Sequence, residues 1–134
     1  MDKKIKHLEM IQGVINRMAG NSFALKGWAV TLLAGIYALS GKEADMRFFI
    51  VSFIPVVTFW LLDSYYLYLE KLYRILYDIV RMKDEDAIDF SMDVSVCKNQ
   101  TVPYSKCAIS RTESAFYGAL FAVCVVVVIA TCLL

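Results

Sequence analysis

Apolar residues dominate three long stretches of this chain, which polar connections separate. The first runs from Phe23 to Ser40, the second from Phe48 to about Leu69, and the third from Ala115 to Leu134. Each is close to the ~20 residues that an α-helix needs to cross the hydrocarbon core of a bilayer. The pattern therefore predicts an all-α membrane protein with three transmembrane helices.

Helical periodicity continues outside these stretches. Apolar residues recur at spacings of three and four before the first span and again after the second, which is typical of amphipathic helices. The two stripes consist of Leu8, Ile11, Ile15 and Met18, and of Leu69, Leu72, Leu76 and Ile79. Between the N-terminal helix and the first span, Gly20, Asn21 and Ser22 predict a break, with Asn21 or Ser22 capping the next helix.

Two arrangements of the N-terminal helix are open. In one, residues 5–18 and 66–81 form a cytoplasmic antiparallel hairpin in which Arg17 meets Glu70 and Glu9 meets Arg81. In the other, the helix lies flat on the membrane, supported by the lysines near the N-terminus. The hairpin is preferred, because a flat helix leaves the apolar stripe after the second span uncovered.

The predicted organisation divides the chain into six segments. They are a cytoplasmic amphipathic helix (1–20), a first span (23–40), an outer turn (41–47), a second span with its cytoplasmic extension (48–82), a cytoplasmic connection (83–111) and a third span (112–134). Pro55 lies inside the second span and predicts a kink there, because proline removes one helical hydrogen bond.

Lys26 and Asp63 are charged residues inside apolar stretches, where an unpaired charge is costly. At about 1.5 Å per residue, the uncharged part of the first span after Lys26 covers only about 22 Å, which places Lys26 near one edge of the membrane. Counting from the outer turn puts Asp63 at the same level. The two side chains either pair or extend separately to the headgroups. A role in moving ions is disfavoured, since a single carboxylate near the edge is not a pathway.

Composition and charge set the predicted orientation. Apolar residues make up 59% of the chain. Of the 14 lysines and arginines, only Lys42 and Arg47 fall in the turn after the first span. Because positive residues concentrate on the cytoplasmic side, we expect a multi-pass protein of the inner (plasma) membrane with its N-terminus cytoplasmic and its C-terminus outside. The chain has no basic tract that would indicate nucleic acid as a partner.

The sequence offers little chemistry. His7 is the only histidine, and no phosphate-binding loop, nucleophile elbow or pair of catalytic carboxylates is present. The acidic run at 84–89 lacks the ligand spacing of a calcium loop. Cys97 and Cys107 are too few for a zinc site. We therefore predict that the protein is not an enzyme and has neither a cofactor nor a metal site.

Three stretches carry a resemblance to a known group of proteins. They are HLEMIQGVINRMAGNSFALKGWAVTLLAGIYAL, FWLLDSYYLYLEKLYRILYDIVR and DFSMDVS. They resemble an uncharacterised family of small bacterial multi-span membrane proteins, which is loosely associated with defence-gene neighbourhoods. The resemblance implies an effector that oligomerises and permeabilises the inner membrane when a cytoplasmic signal arrives. The third span departs from the simplest two-span pattern of such effectors.

Three functional hypotheses follow. The first is a self-associating membrane effector of the bacterial defence type, which perturbs the bilayer in response to a cytoplasmic signal or partner. Small residues in the first span, Gly27 and Gly35 above all, permit close helix contact, either between copies or within one subunit. The second is a membrane anchor or assembly subunit that recruits a soluble cytoplasmic protein through residues 66–111. The third is a small channel or transporter subunit. The expected partners are thus the lipid bilayer, further copies and a cytoplasmic protein.

Overall fold

The computed structural model describes residues 2–40, 46–101 and 103–133, and the regular elements within these ranges are all helical. Three of the helical segments are long and apolar enough to cross a membrane. Most of the predicted outer turn, residues 41–45, lies outside the described residues. The α-helices are α1 (Asp2–Leu39), α2 (Met46–Val51), α3 (Phe53–Arg81), α4 (Tyr104–Ala108) and α5 (Arg111–Leu133).

The helix α1 is a single element of 38 residues. The predicted break at Gly20, Asn21 and Ser22 is wrong. A glycine inside a helix costs only about 1 kcal/mol relative to alanine, which the packing of a long helix offsets. The Ser22 hydroxyl does not cap a new helix, since it donates a hydrogen bond to Asp63 on α3.

The second apolar segment is interrupted at Ser52, between α2 and α3. Pro55 lies in the first turn of α3, where the missing N–H removes the bond to the carbonyl one turn earlier. The hydroxyl and the backbone N–H of Ser52 both donate to the carbonyl oxygen of Phe49, at 2.5 Å and 3.2 Å. The interruption therefore has a local cause in the proline.

The polar halves of α1 and α3 share one apolar core. Ile11 and Ile15 of α1 are buried with residues of α3. The contacts run in opposite chain directions, because Ser22 meets Asp63 whereas Tyr37, further along α1, meets Ser52 at 3.1 Å. The residues of this core are Ile11, Ile15, Leu72, Leu76, Val80 and Cys97.

A second core joins the apolar halves of the three long helices. Leu33 of α1, Val56 of α3 and Cys124 of α5 are buried together. The rings of Phe53 and Phe121 meet edge to face with centroids 5.0 Å apart. These contacts hold α5 beside α3 along the apolar segment.

The short helix α4 positions the start of α5. Its end is bound to α3 by the Trp60 indole N–H, which donates to the carbonyl oxygen of Ala108 at 2.8 Å. The Tyr104 hydroxyl donates to the carbonyl oxygen of Leu61 at 2.5 Å. Trp60 and Leu61 lie within one helical turn of Asp63 on α3. The two bonds therefore bring the first turn of α5 to the level of the Asp63 carboxylate.

Residues 85–97, here called the strap, cross the far end of the α1–α3 pair. Glu85 accepts hydrogen bonds from the backbone N–H groups of Lys3 and Lys4, at 2.8 Å and 3.2 Å, where the start of α1 has no helical partners for them. At the other end of the strap, Cys97 is fully buried in the core, and this burial raises the pKa of its thiol. Ile88, Met92 and Val94 pack against the same core.

Candidate functional site

Lys26 connects the three long helices through its ammonium group. From α1, its Nζ lies 2.5 Å from Oδ2 of Asp63 on α3 and 3.1 Å from Oε1 of Glu113 on α5. A third N–H donates to the Ser22 hydroxyl at 3.1 Å. These three bonds use all the donors of an ammonium group. Together with Tyr117, these residues form what is here called the polar cluster.

Asp63 is the best-satisfied member of the polar cluster. Its side chain is fully buried, and it accepts hydrogen bonds from Lys26, from the Ser22 hydroxyl and from the Tyr117 hydroxyl at 2.9 Å. A buried charge loses its hydration, and only close partners with good geometry offset that loss. Removing one partner of such a pair typically costs about 3–5 kcal/mol.

Glu113 is the least-satisfied member. Its side chain is 2% exposed, and one carboxyl oxygen reaches Lys26 while the other, Oε2, has no partner among the described residues. Two carboxylates share one ammonium, so the cluster carries a formal surplus of negative charge. The ring faces of Phe116 and Tyr117, 5.8 Å and 5.9 Å from Lys26 Nζ, add attraction for the cation.

An apolar groove opens beside the polar cluster, between α3 and α5. Its volume is about 330 Å³, and Glu113 and Tyr117 lie at its wall. Apart from Ser114, the rest of the wall is apolar, so the groove suits a lipid chain or a side chain of another helix better than a polar substrate. Its other lining residues include Val56, Val57, Trp60 and Phe121.

Of the three ion pairs between helices considered from the sequence, the structure brings together Lys26 and Asp63. Glu70 pairs with Arg74 at 2.8 Å and Arg81 lies 3.6 Å from Asp78. In the part of the chain that the structure describes, neither the contact of Arg17 with Glu70 nor that of Glu9 with Arg81 forms. The reason is local: a partner one turn away on the same helix is reached without bringing together long side chains from two helices.

The predicted packing residues divide into two groups. Ile11, Ile15, Leu72 and Leu76 are buried in the α1–α3 core, and Leu8, Leu69 and Ile79 pack at its edge. Gly27 and Gly35 differ from these, because a Cβ atom added at either position meets no neighbouring atom within 4 Å. Among the described residues, no close contact between helices therefore depends on those two glycines.

Comparison with protein-family models, with curated proteins and with solved structures finds no match. The site is therefore interpreted from its own chemistry. Within residues 2–40, 46–101 and 103–133, no three His, Cys, Asp or Glu side chains are placed to hold a metal ion. The distinctive chemistry of the site is a hydrogen-bonded charge cluster whose two carboxylates are buried.

Sequence reasoning missed Glu113 and Tyr117. Ser110 and Glu113 have the spacing of a capping box, in which a serine and a glutamate satisfy the first backbone N–H groups of a helix. That spacing directs attention to the helix start rather than to a distant lysine. In the structure the box is not closed, because Ser110 Oγ and Glu113 Oε2 both lack partners. Glu113 reaches Lys26 instead, 87 positions away in the chain.

Proposed function

We propose that this protein is a small integral protein of the bacterial inner membrane that self-associates and perturbs the bilayer when its cytoplasmic part receives a signal or a partner. Three apolar helical segments support a membrane location. The outward faces of these segments are hydrocarbon, as a lipid environment requires. Large exposed apolar side chains there include Phe23, Val30, Leu32, Ile54, Phe121, Val126 and Ile129.

The observation that carries the proposal is the position of Lys26. One ammonium group holds α1 to both α3 and α5. A displacement of α1 along α3 therefore alters the contacts of all three long helices together. Packed elements joined in this way respond to a local change by moving between discrete arrangements. An effector needs such a connection between the part that receives a signal and the part within the membrane.

The proposed topology places the signal-receiving part in the cytoplasm. The N-terminal half of α1 and the C-terminal half of α3 form an antiparallel hairpin there, and the strap binds across it. The distribution of the 14 lysines and arginines supports this orientation, since Lys42 and Arg47 are the two on the other side. The C-terminus is then outside.

Self-association uses the outward face of α1. Ala24, Gly27, Ala34 and Ala38 are exposed on this helix. Small residues let a second helix approach closely, which is the main source of helix association within lipid. A chain with three spans does not enclose a pore, so any conducting path requires several copies.

The test combines oligomeric state with membrane potential. In mild detergent, the wild-type protein is expected to be an oligomer, and its induced expression is expected to depolarise cells. Gly27→Leu should reduce both effects, because the larger side chain separates the contacting helices. Ala119→Leu is the control, since Ala119 is an exposed small residue of α5 outside the lining of the apolar groove.

A monomeric wild-type protein, or an oligomer that leaves the membrane potential unchanged with and without a trigger, would contradict the proposal. Equal loss of association in the Gly27 and Ala119 variants would contradict the assignment of the contact to the outward face of α1.

One observation favours an alternative, a membrane anchor that recruits a soluble protein. Met82, Val96 and Ile109 lie outside the apolar segments and are 79%, 63% and 67% exposed. Exposed apolar residues of this kind can mark a protein-binding surface. Copurification of one stoichiometric soluble protein, lost in Val96→Asp or Ile109→Asp, with unchanged membrane potential, would support the anchor.

A further inference from the structure

His7, the only histidine in the chain, is fully buried between α1 and the strap. Its Nε2 lies 2.9 Å from the carbonyl oxygen of Ser91. A carbonyl oxygen can only accept, so Nε2 must carry the hydrogen, and the neutral ring then has an unprotonated Nδ1. That Nδ1 is buried and has no partner among the described residues.

The strap adopts an unfavourable conformation where it meets His7. Phe90 has a φ of 54°, which lies in the left-handed region that phenylalanine rarely occupies. Its ring packs against the imidazole with centroids 5.5 Å apart. Adjacent to it, the Asp89 carboxylate accepts the backbone N–H of Ser91 at 3.1 Å. The strap therefore holds a strained backbone against one titratable side chain.

We infer that His7 is a proton-binding site that controls attachment of the strap, so that uptake of a second proton at Nδ1 releases residues 85–97 from the α1–α3 pair. A protonated ring would bury a charged donor without an acceptor, which is costly. Once the strap is released, water supplies the acceptor. Because the released form binds this proton more readily, a fall in pH favours it. The inference concerns the strap alone and stands independently of the proposed function.

Some charged groups around His7 favour protonation of its ring, and others oppose it. From the strap, Asp89 favours a charged ring, and Asp93 lies at the same small pocket of about 160 Å³ as His7. Lys83, after the end of α3, lines this pocket too and opposes a charged ring. Lys3, Lys4 and Lys6, on the same helix as His7, oppose a charged ring as well. Asp89 is exposed and already bonded, so solvent screens its attraction, whereas Nδ1 is fully buried.

Titration of Asp89 and Asp93 does not produce the pH response that is expected of the strap. Backbone N–H groups of Ser91 and Ser95 hold the pKa of Asp89 and of Asp93, respectively, below the usual range. A carboxyl group whose pKa is lower in the folded form stabilises that form fully at pH values above its pKa in the unfolded chain. This stabilisation is lost only as the pH falls through the lower pKa of the folded form, below about 4.

Hydrogen exchange of the full chain in lipid nanodiscs tests the inference. Between about pH 7.5 and about pH 5.5, amides of residues 88–97 should exchange faster after correction for intrinsic rates, approaching tenfold per pH unit, the limit for one proton. Amides of α5 serve as the internal reference. In His7→Gln, whose side-chain amide can still donate to the Ser91 carbonyl, this pH dependence should disappear.

A second measurement uses the wild-type protein and does not depend on any variant folding. Nitrogen NMR of the single imidazole should show the tautomer with hydrogen on Nε2 at about pH 7.5. Hydrogen on Nδ1 would overturn the inference. Strap exchange that does not respond to pH, or that responds equally in wild type and His7→Gln, would overturn it too.

Discussion

Lys26 determines how α1 packs against two other helices, because its ammonium is shared by carboxylates that come from each of them. The value of a buried charge depends on its partners. A paired charge offsets part of its lost hydration, whereas an isolated one is strongly destabilising. The members of the polar cluster are therefore expected to respond to substitution as a unit rather than separately.

Asp63→Ala is expected to lower the free energy of unfolding by about 3–5 kcal/mol, because it leaves Lys26 with a single carboxylate and the Tyr117 hydroxyl without an acceptor. Denaturant unfolding in detergent, followed by circular dichroism, measures this loss. Asp78→Ala is the matched control, since that side chain is 66% exposed and should cost less than about 1 kcal/mol. Similar losses in the two variants would show that burial of Asp63 contributes little.

Glu113 and Lys26 are expected to be strongly coupled. Lys26→Met leaves two carboxylates close together without a cation, so it should destabilise by several kcal/mol. Adding Glu113→Gln removes one of these charges and should restore at least about 1 kcal/mol, giving a coupling energy within the usual range for contacting residues. The measurement is a double-mutant cycle in the same unfolding assay. Simple additivity of the two substitutions would mean that the pair does not interact.

Gly20 lies inside the continuous helix α1, which predicts the effect of replacing it with alanine. Because a Cβ at this position meets nothing within 4 Å and the residue is helical, Gly20→Ala should stabilise the protein by up to about 1 kcal/mol. Gly13→Ala is the reference for an ordinary helical glycine in the same helix, also without a neighbour within 4 Å. Thermal unfolding compares the two. A loss of stability in Gly20→Ala alone would instead indicate a helix that ends at Gly20.

The elements differ in how far the sequence predicted them. The three apolar helical segments are confirmed, because spans are recognised by length and hydropathy, which are local properties. The strap and α4 were not predicted. Their positions depend on bonds to α1 and α3, such as those of Glu85 with Lys3 and of Trp60 with Ala108, which no local pattern reveals.

The orientation of the chain in the membrane is a prediction at the scale of the whole molecule. In a cysteine-free background, Asn99→Cys should be protected from a membrane-impermeant thiol reagent in intact cells, whereas Lys42→Cys should be labelled. The reason is the concentration of positive charge on the side that holds residue 99. Labelling after cell lysis controls for exposure of Asn99→Cys. The reverse pattern in intact cells would contradict a cytoplasmic N-terminus.

Hydropathy and spacing along the chain were enough to establish the helical class, the three apolar segments and the apolar residues that face a core, because each depends on neighbours within a few turns. Tertiary structure decided which polar groups meet. Lys26 bonds Glu113 across 87 positions, and His7 bonds Ser91 across 84. The helix starts and loops that carry these partners have several local options, and the choice among them depends on the burial of charged and polar groups when the chain packs.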